Sequence, residues 1–144
     1  MKLRHACVGI TWWRKLRNTE TVTLVPASST SAPSVDVHSV VLSGHLTAHT
    51  LDAALDSATK RLQKTSGKLH LLFDCLTMTG YERAARDRFV EWHRGGSSHI
   101  GHVAILTRNP LWHVVVSAMS LASGRKMKAF ASQAEAMNWL LRQN

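Results

Sequence analysis

From residue 35 onward the sequence alternates four times between a short β-branched or apolar run and a longer stretch whose apolar residues recur three and four positions apart. The short runs are "VDVHSVVLSG" (residues 35–44), "LHLLFDC" (69–75), "HVAILT" (102–107) and "MKAFA" (127–131). The second is apolar nearly throughout, as a strand covered on both faces requires. In the first longer stretch Thr47 offers an N-cap, and Leu51, Ala54, Leu55, Ala58 and Leu62 follow as one buried stripe. Tyr81, Ala84, Ala85, Phe89 and Trp92 form a second helical stripe, with Glu82/Arg86 and Arg83/Asp87 as i, i+4 pairs outside it. Asn109 before Pro110 supplies an N-cap and an N1 proline, and the segment closes at Gly124, so a helix is expected despite three consecutive valines. Ser132 with Glu135 reads as a capping box opening the last helix, with Ala136, Met137, Leu140 and Leu141 inward. The alternation predicts an α/β fold: a single, mostly parallel mixed sheet with about four helices packed on it.

Residues 1–34 follow no such pattern. They comprise a basic, Trp-containing leader and the Ser/Pro-rich linker "PASSTSAPS", with "TVTLV" (residues 21–25) as a candidate edge strand. The expected domain is therefore residues 35–144.

At 144 residues and 44% apolar content the chain suits one hydrophobic core. No run approaches the roughly eighteen apolar residues of a membrane-spanning helix, and "ACVGITWW" is short with no small-residue cleavage site after it. A cytoplasmic location is expected. Cys7 and Cys75 are far apart, with no CxxC, and read as small apolar residues. The net charge of +9 invites a nucleic-acid reading. Acids interleave the basic residues, however, and only "GRKMK" (residues 124–128) is a compact basic cluster, so no specific nucleic-acid binding is expected.

Ligands of such sheets bind beyond the carboxyl ends of the strands. The loops there hold Asp74, Thr77, Thr79, Glu82, Arg83, Thr107, Arg108 and Asn109, the candidate ligand or partner loop. They offer no obvious histidine partner for an acid, and the chain has no GxSxG, so no catalytic residue is assigned and no enzyme is expected. His93, His99 and His102 lack an HExxH pattern or cysteine partners, so no metal site is assigned; no phosphate loop is present, and no cofactor is expected. An anion at the helix start beside Arg108, Asn109 and Leu111 competes with a plain helix cap next to an exposed arginine. Asp74 admits catalytic, ligand, switch and clamp readings; we expect a clamp whose carboxylate accepts hydrogen bonds in the turn.

"VVLSGHLTAHTLDAAL", "LLFDCLTMTGYERAARDRF", "HVAILTRNPLWHVVVSAM" and "MKAFASQAEAMNWL" together resemble the SpoIIAA-like proteins, a branch of the STAS superfamily related in fold to CRAL-TRIO lipid-transfer domains. The resemblance spans about residues 36–141. It implies a small α/β domain whose relatives act as regulators through protein contacts or, in some branches, bind apolar ligands or anions. In the anti-sigma antagonists of the superfamily a phosphorylated serine lies nine residues after the aspartate that ends the central strand; here that position is Arg83, so the switch is not carried over. The expectation is a non-enzymatic STAS-like regulatory or scaffold domain meeting a protein partner, a homodimer included. The alternative is a binding module for a lipid, amphiphile or small anion. An exposed apolar patch near Phe89 or Trp112 would mark the first, and a cavity between helices and sheet the second.

Overall fold

A computed structural model describes residues 34–143. The leader, the residue 21–25 strand and nearly all of the linker lie outside those residues. Four strand-helix units follow in order: β1 (Asp36–Leu46), α1 (Ala48–Gln63), β2 (Leu69–Tyr81), α2 (Arg83–Gly95), β3 (Ile100–Leu106), α3 (Pro110–Ser123), β4 (Met127–Phe130) and α4 (Gln133–Leu141). The strands stand in the order β1-β2-β3-β4, and all three ladders are parallel.

Because side chains alternate across a strand, the sheet has two cores. Leu69, Leu71, Phe73, Val103 and Ile105 pack with Leu51 and Leu55 of α1, Phe89 of α2 and Val116 of α3. On the other face Leu72, Ala104, Leu106 and Phe130 meet Ala136 and Leu140 of α4. Three helices thus cover one face and a single nine-residue helix the other.

The helix ends follow local chemistry. Thr47 and Thr50 satisfy one another's backbone N–H groups reciprocally. Asn109 Oδ1 accepts the Leu111 N–H at 3.0 Å, and Gly124 closes α3 in the left-handed region at φ 69°, where a side chain would be strained. The expected Ser132 capping box does not form: its hydroxyl makes no cap bond. Of the two expected pairs on α2, Arg83–Asp87 forms at 3.6 Å, whereas Arg86 turns to neighbouring Asp87 at 3.1 Å rather than to Glu82.

The principal departure from expectation is β2. Its apolar run ends at Cys75, yet the strand continues to Tyr81. β3 pairs only with the stretch from Leu69 to Asp74; beyond it β2 pairs with β1 alone. Val41 faces Asp74 but Ser43 faces Thr77, and Gly44 faces Met78 but His45 faces Gly80, so β2 carries one extra residue twice. Such bulges bend and twist a strand. The resulting two-stranded ribbon packs Met78 and Tyr81 against the larger core. Tyr81 is therefore the end of a strand, and α2 starts two residues later.

Candidate functional site

The bulged ribbon determines where the sequence-derived candidates stand. Asp74 is half-buried, and its Oδ1 accepts the Leu76 N–H at 3.0 Å, across the first bulge. Thr77 donates weakly to the Leu42 carbonyl at 3.5 Å, and Thr79 is exposed on the same ribbon; both lie on the strand rather than in a loop. Glu82 is the exposed N-cap of α2, without a side-chain cap bond, and Arg83 is exposed beside Asp87. Thr107 is buried and accepts the Asn109 N–H at 3.2 Å, while Arg108 points from an exposed position. His113 Nε2 meets the Thr107 carbonyl at 3.0 Å; a carbonyl only accepts, so that nitrogen carries the proton. Thr107 and Asn109 are brought together; Asp74 and Thr77 are engaged separately along the ribbon, on which Thr79 stands exposed.

A second set of residues, outside the candidate loop, forms a recess. The ribbon (Leu46, Met78, Tyr81), α2 (Phe89) and α3 (Trp112, Met119) enclose an apolar cavity of about 70 Å³. Arg86 is its one charged lining residue. Tyr81 and Trp112 close one side with rings edge to face, 5.8 Å between centroids. Adjoining it, a groove of about 580 Å³ runs between α2 and α3, with Val90, Val114, Ala118 and Ala122 along it and Arg86, Asp87, Glu91 and Arg94 at the α2 side. Val115 and Met119 line both spaces.

Of the two places named for an apolar patch, the helix segment around Trp112 exposes aliphatic side chains and Phe89 does not. Phe89 is buried and Trp112 half-buried; three of the large exposed aliphatics, Leu111 (73%), Val114 (69%) and Leu121 (86%), lie on α3, and the others are Val41 on β1, Leu76 on β2 and Leu141 on α4, against the inward position expected of it. No Asp, Glu, Lys or Arg occurs in the fourteen residues of that helix. A helix without a charged Asp, Glu, Lys or Arg and rich in apolar residues ordinarily reads as buried, which is why sequence pattern alone missed its exposure.

Two of the three cations of the compact basic cluster are engaged. Arg125 donates to the carbonyls of Ser97 (3.1 Å) and Gly96 (2.9 Å), and Lys128 lies over the Phe130 ring. Arg94 likewise donates to the Ala122 carbonyl at 2.7 Å, tying α2 to the end of α3.

The titratable groups that the fold perturbs are structural. His93 is fully buried, with Nδ1 3.0 Å from Ser123 Oγ; burial first, and the nearby Arg125 charge second, lower its pKa to about 4. This Ser–His contact has no access to solvent, and Ser123 also donates to the Ser120 carbonyl, so it joins α2 to α3 rather than arming a nucleophile. His70 Nδ1 accepts the His102 N–H at 2.9 Å, the two rings lie 5.4 Å apart, and that of His102 meets Trp139 edge to face. Burial lowers both pKa values, that of His102 further through His70 and Lys126. Burial and the Asp74 charge push the Cys75 thiol up to about 12. Among the described residues no three His, Cys, Asp or Glu side chains cluster as metal ligands, and no helix is long and apolar enough to cross a membrane.

The SpoIIAA-like family profile matches residues 37–141. Among solved structures the chain resembles an uncharacterised protein of the DUF3478 family with a SpoIIAA-like fold from Shewanella loihica PV-4. The two share 17% identity over 71% of this chain and 81% of that one, with a TM-score of 0.58, a likeness of fold alone. No curated protein matches the sequence.

Proposed function

The chain belongs to the SpoIIAA-like family, and on that premise we propose that it is a non-enzymatic regulatory or scaffold domain that acts by contact with another protein. The observation that carries this reading is the size of the apolar recess. Small-molecule pockets occupy about 300–1,000 Å³. The recess under α3 holds about 70 Å³, room for one apolar side chain and far short of an acyl chain, and the adjoining groove of about 580 Å³, though of such a volume, lies open between two helices with four charged residues along it instead of enclosing a ligand. Beside it the exposed, uncharged face of α3 is the kind of patch that marks a protein-binding surface.

Of the sequence-derived candidates, Glu82, Arg83, Arg108 and Asn109 stand exposed where α2 and α3 begin, and we assign them to the margin of the contact surface. Asp74, Thr77 and Thr79 shape the ribbon behind it. With Arg83 where the superfamily's phosphoacceptor serine would lie, the contact is not switched by phosphorylation at that position.

Native mass spectrometry of the full chain tests the reading. A ligand-free mass is expected; a stoichiometric lipid or other amphiphile retained through purification would replace the contact reading with that of a carrier.

A further inference from the structure

Independently of the protein-contact reading, we propose that the end of the domain at which the strands begin lies against an anionic bilayer surface. The four strands are parallel and each helix runs back between them, so the four helix C-termini gather at that end. Six cations stand there. Lys64 is the C-cap of α1, Lys68 precedes β2, Arg94 lies in the last turn of α2, Arg125 and Lys126 join α3 to β4, and Arg142 is the C-cap of α4. None of the six pairs with a carboxylate among the described residues; the ion pairs that form use other cations of α1 and α2. Lys68 donates instead to the Ser98 carbonyl, Arg94 to that of Ala122, and Arg125 to those of Gly96 and Ser97. A carbonyl carries no net charge, so these bonds fix three cations in place without neutralising them.

The acids at this end are Asp36, which Arg61 already holds at 3.0 Å, and Glu91, one turn before Arg94. Each helix C-terminus is equivalent to about half a negative charge, so the four offset about two of the cations. The end remains positive. Two exposed leucines flank it, Leu121 in the last turn of α3 and Leu141 at the end of α4, and those helices cover opposite faces of the sheet. Cations spread across the end with a leucine on either side suit anionic headgroups over an apolar interior, a surface that takes up charge and alkyl groups together. Nucleic acid would use the charge and leave the leucines in water, and the helix N-termini that favour phosphate all lie at the opposite end.

The test sediments the full chain with phosphatidylcholine vesicles, with and without about 30% phosphatidylserine, at about 0.1 M and about 0.5 M salt. Binding to the anionic vesicles is expected to be at least about ten-fold tighter at the lower salt, and to fall at the higher by screening. Lys64→Glu with Lys126→Glu, two exposed side chains that make no hydrogen bond among the described residues, weakens it at least about thirty-fold, since each cation near such a surface is worth about five-fold. Arg83→Glu with Arg108→Glu changes the net charge equally at the opposite end and leaves binding within about three-fold. Leu121→Ser with Leu141→Ser weakens it at least about three-fold. No preference for the anionic vesicles, equal losses from the two pairs of charge reversals, or indifference to the leucine changes overturns the proposal. Tighter binding to duplex DNA or to polyglutamate than to the anionic vesicles overturns it as well, and assigns the end to that partner.

Discussion

The carboxylate of Asp74 holds the Leu76 N–H at 3.0 Å, bridging the bulge at which β2 leaves β3 and continues with β1 alone. The bond supports the backbone where the ladder is interrupted, and its acceptor is charged. Asp74→Ala should cost about 1–2 kcal/mol, and Asp74→Asn, which keeps an acceptor oxygen, clearly less. Urea unfolding of both variants checks this. A fully stable Asp74→Ala chain would remove the clamp role and leave the residue free for a functional one.

The helix caps at Thr47 and Asn109 are legible in the sequence because their chemistry lies within three residues. Tyr81 is not. Its spacing to Ala84, Ala85 and Phe89 suits a helical stripe as well as a strand end, and what decides is the pairing of Leu46 with Tyr81, thirty-five positions away. The candidate loop inherits this error: threonines and a glycine after Asp74 read as turn residues but serve a twice-bulged strand. For α3 the composition is plain and the exposure hidden. No pattern within PLWHVVVSAMSLAS tells that Val116 faces the core while Val114 faces outward; only the positions of α2 and the ribbon do.

Acid should weaken the fold through His93. Its folded pKa of about 4 lies below the ordinary histidine value of about 6.5, so the unfolded chain binds the proton first as pH falls. The stability contribution is fully present above about pH 6.5 and is lost as pH falls through about 4, amounting to about 2–3 kcal/mol. His70 and His102, also lowered, act in the same direction. Denaturant midpoints measured from pH 7 to 4 should fall, with a shallower slope in His93→Gln. An unchanged slope in that variant would move the acid sensitivity to other groups.

Gly101 is dictated by His70. A Cβ on residue 101 would lie 2.7 Å from His70 Nδ1 and 3.2 Å from the Leu69 carbonyl, against a ring that is buried and already accepting the His102 N–H. Gly101→Ala should cost about 1–3 kcal/mol by overpacking. Combined with His70→Ala it should cost less than the two single changes added, by about 1 kcal/mol, since the clash partner is gone. Strict additivity in that cycle would show that the glycine serves something other than the ring.

Cys75 lines the apolar recess with its thiol buried and its pKa pushed up to about 12. Thiolate is the reactive form, and a free cysteine titrates near about 8.5. In a Cys7→Ser chain the remaining thiol should react with an aromatic disulfide reagent at pH 8 about a thousand-fold more slowly than free cysteine. Urea should restore the ordinary rate. Reaction within about ten-fold of the unfolded rate would mean that the recess opens readily to solvent.

The last expectation concerns residues 1–34. Both described cores draw on residues between Val37 and Leu140, and each helix has its own stretch of sheet to cover. A chain of residues 34–144 should therefore unfold cooperatively, with a Tm within about 5 °C of the full-length value, a difference of about 1 kcal/mol. β1 pairs with β2 alone: no second neighbour strand stands beside it among the described residues. If the shortened chain unfolds gradually, or its midpoint drops by about 15 °C or more, the domain begins before residue 35. Residues 21–25, alternating threonine with valine or leucine, would then be the first segment to restore by stepwise extension.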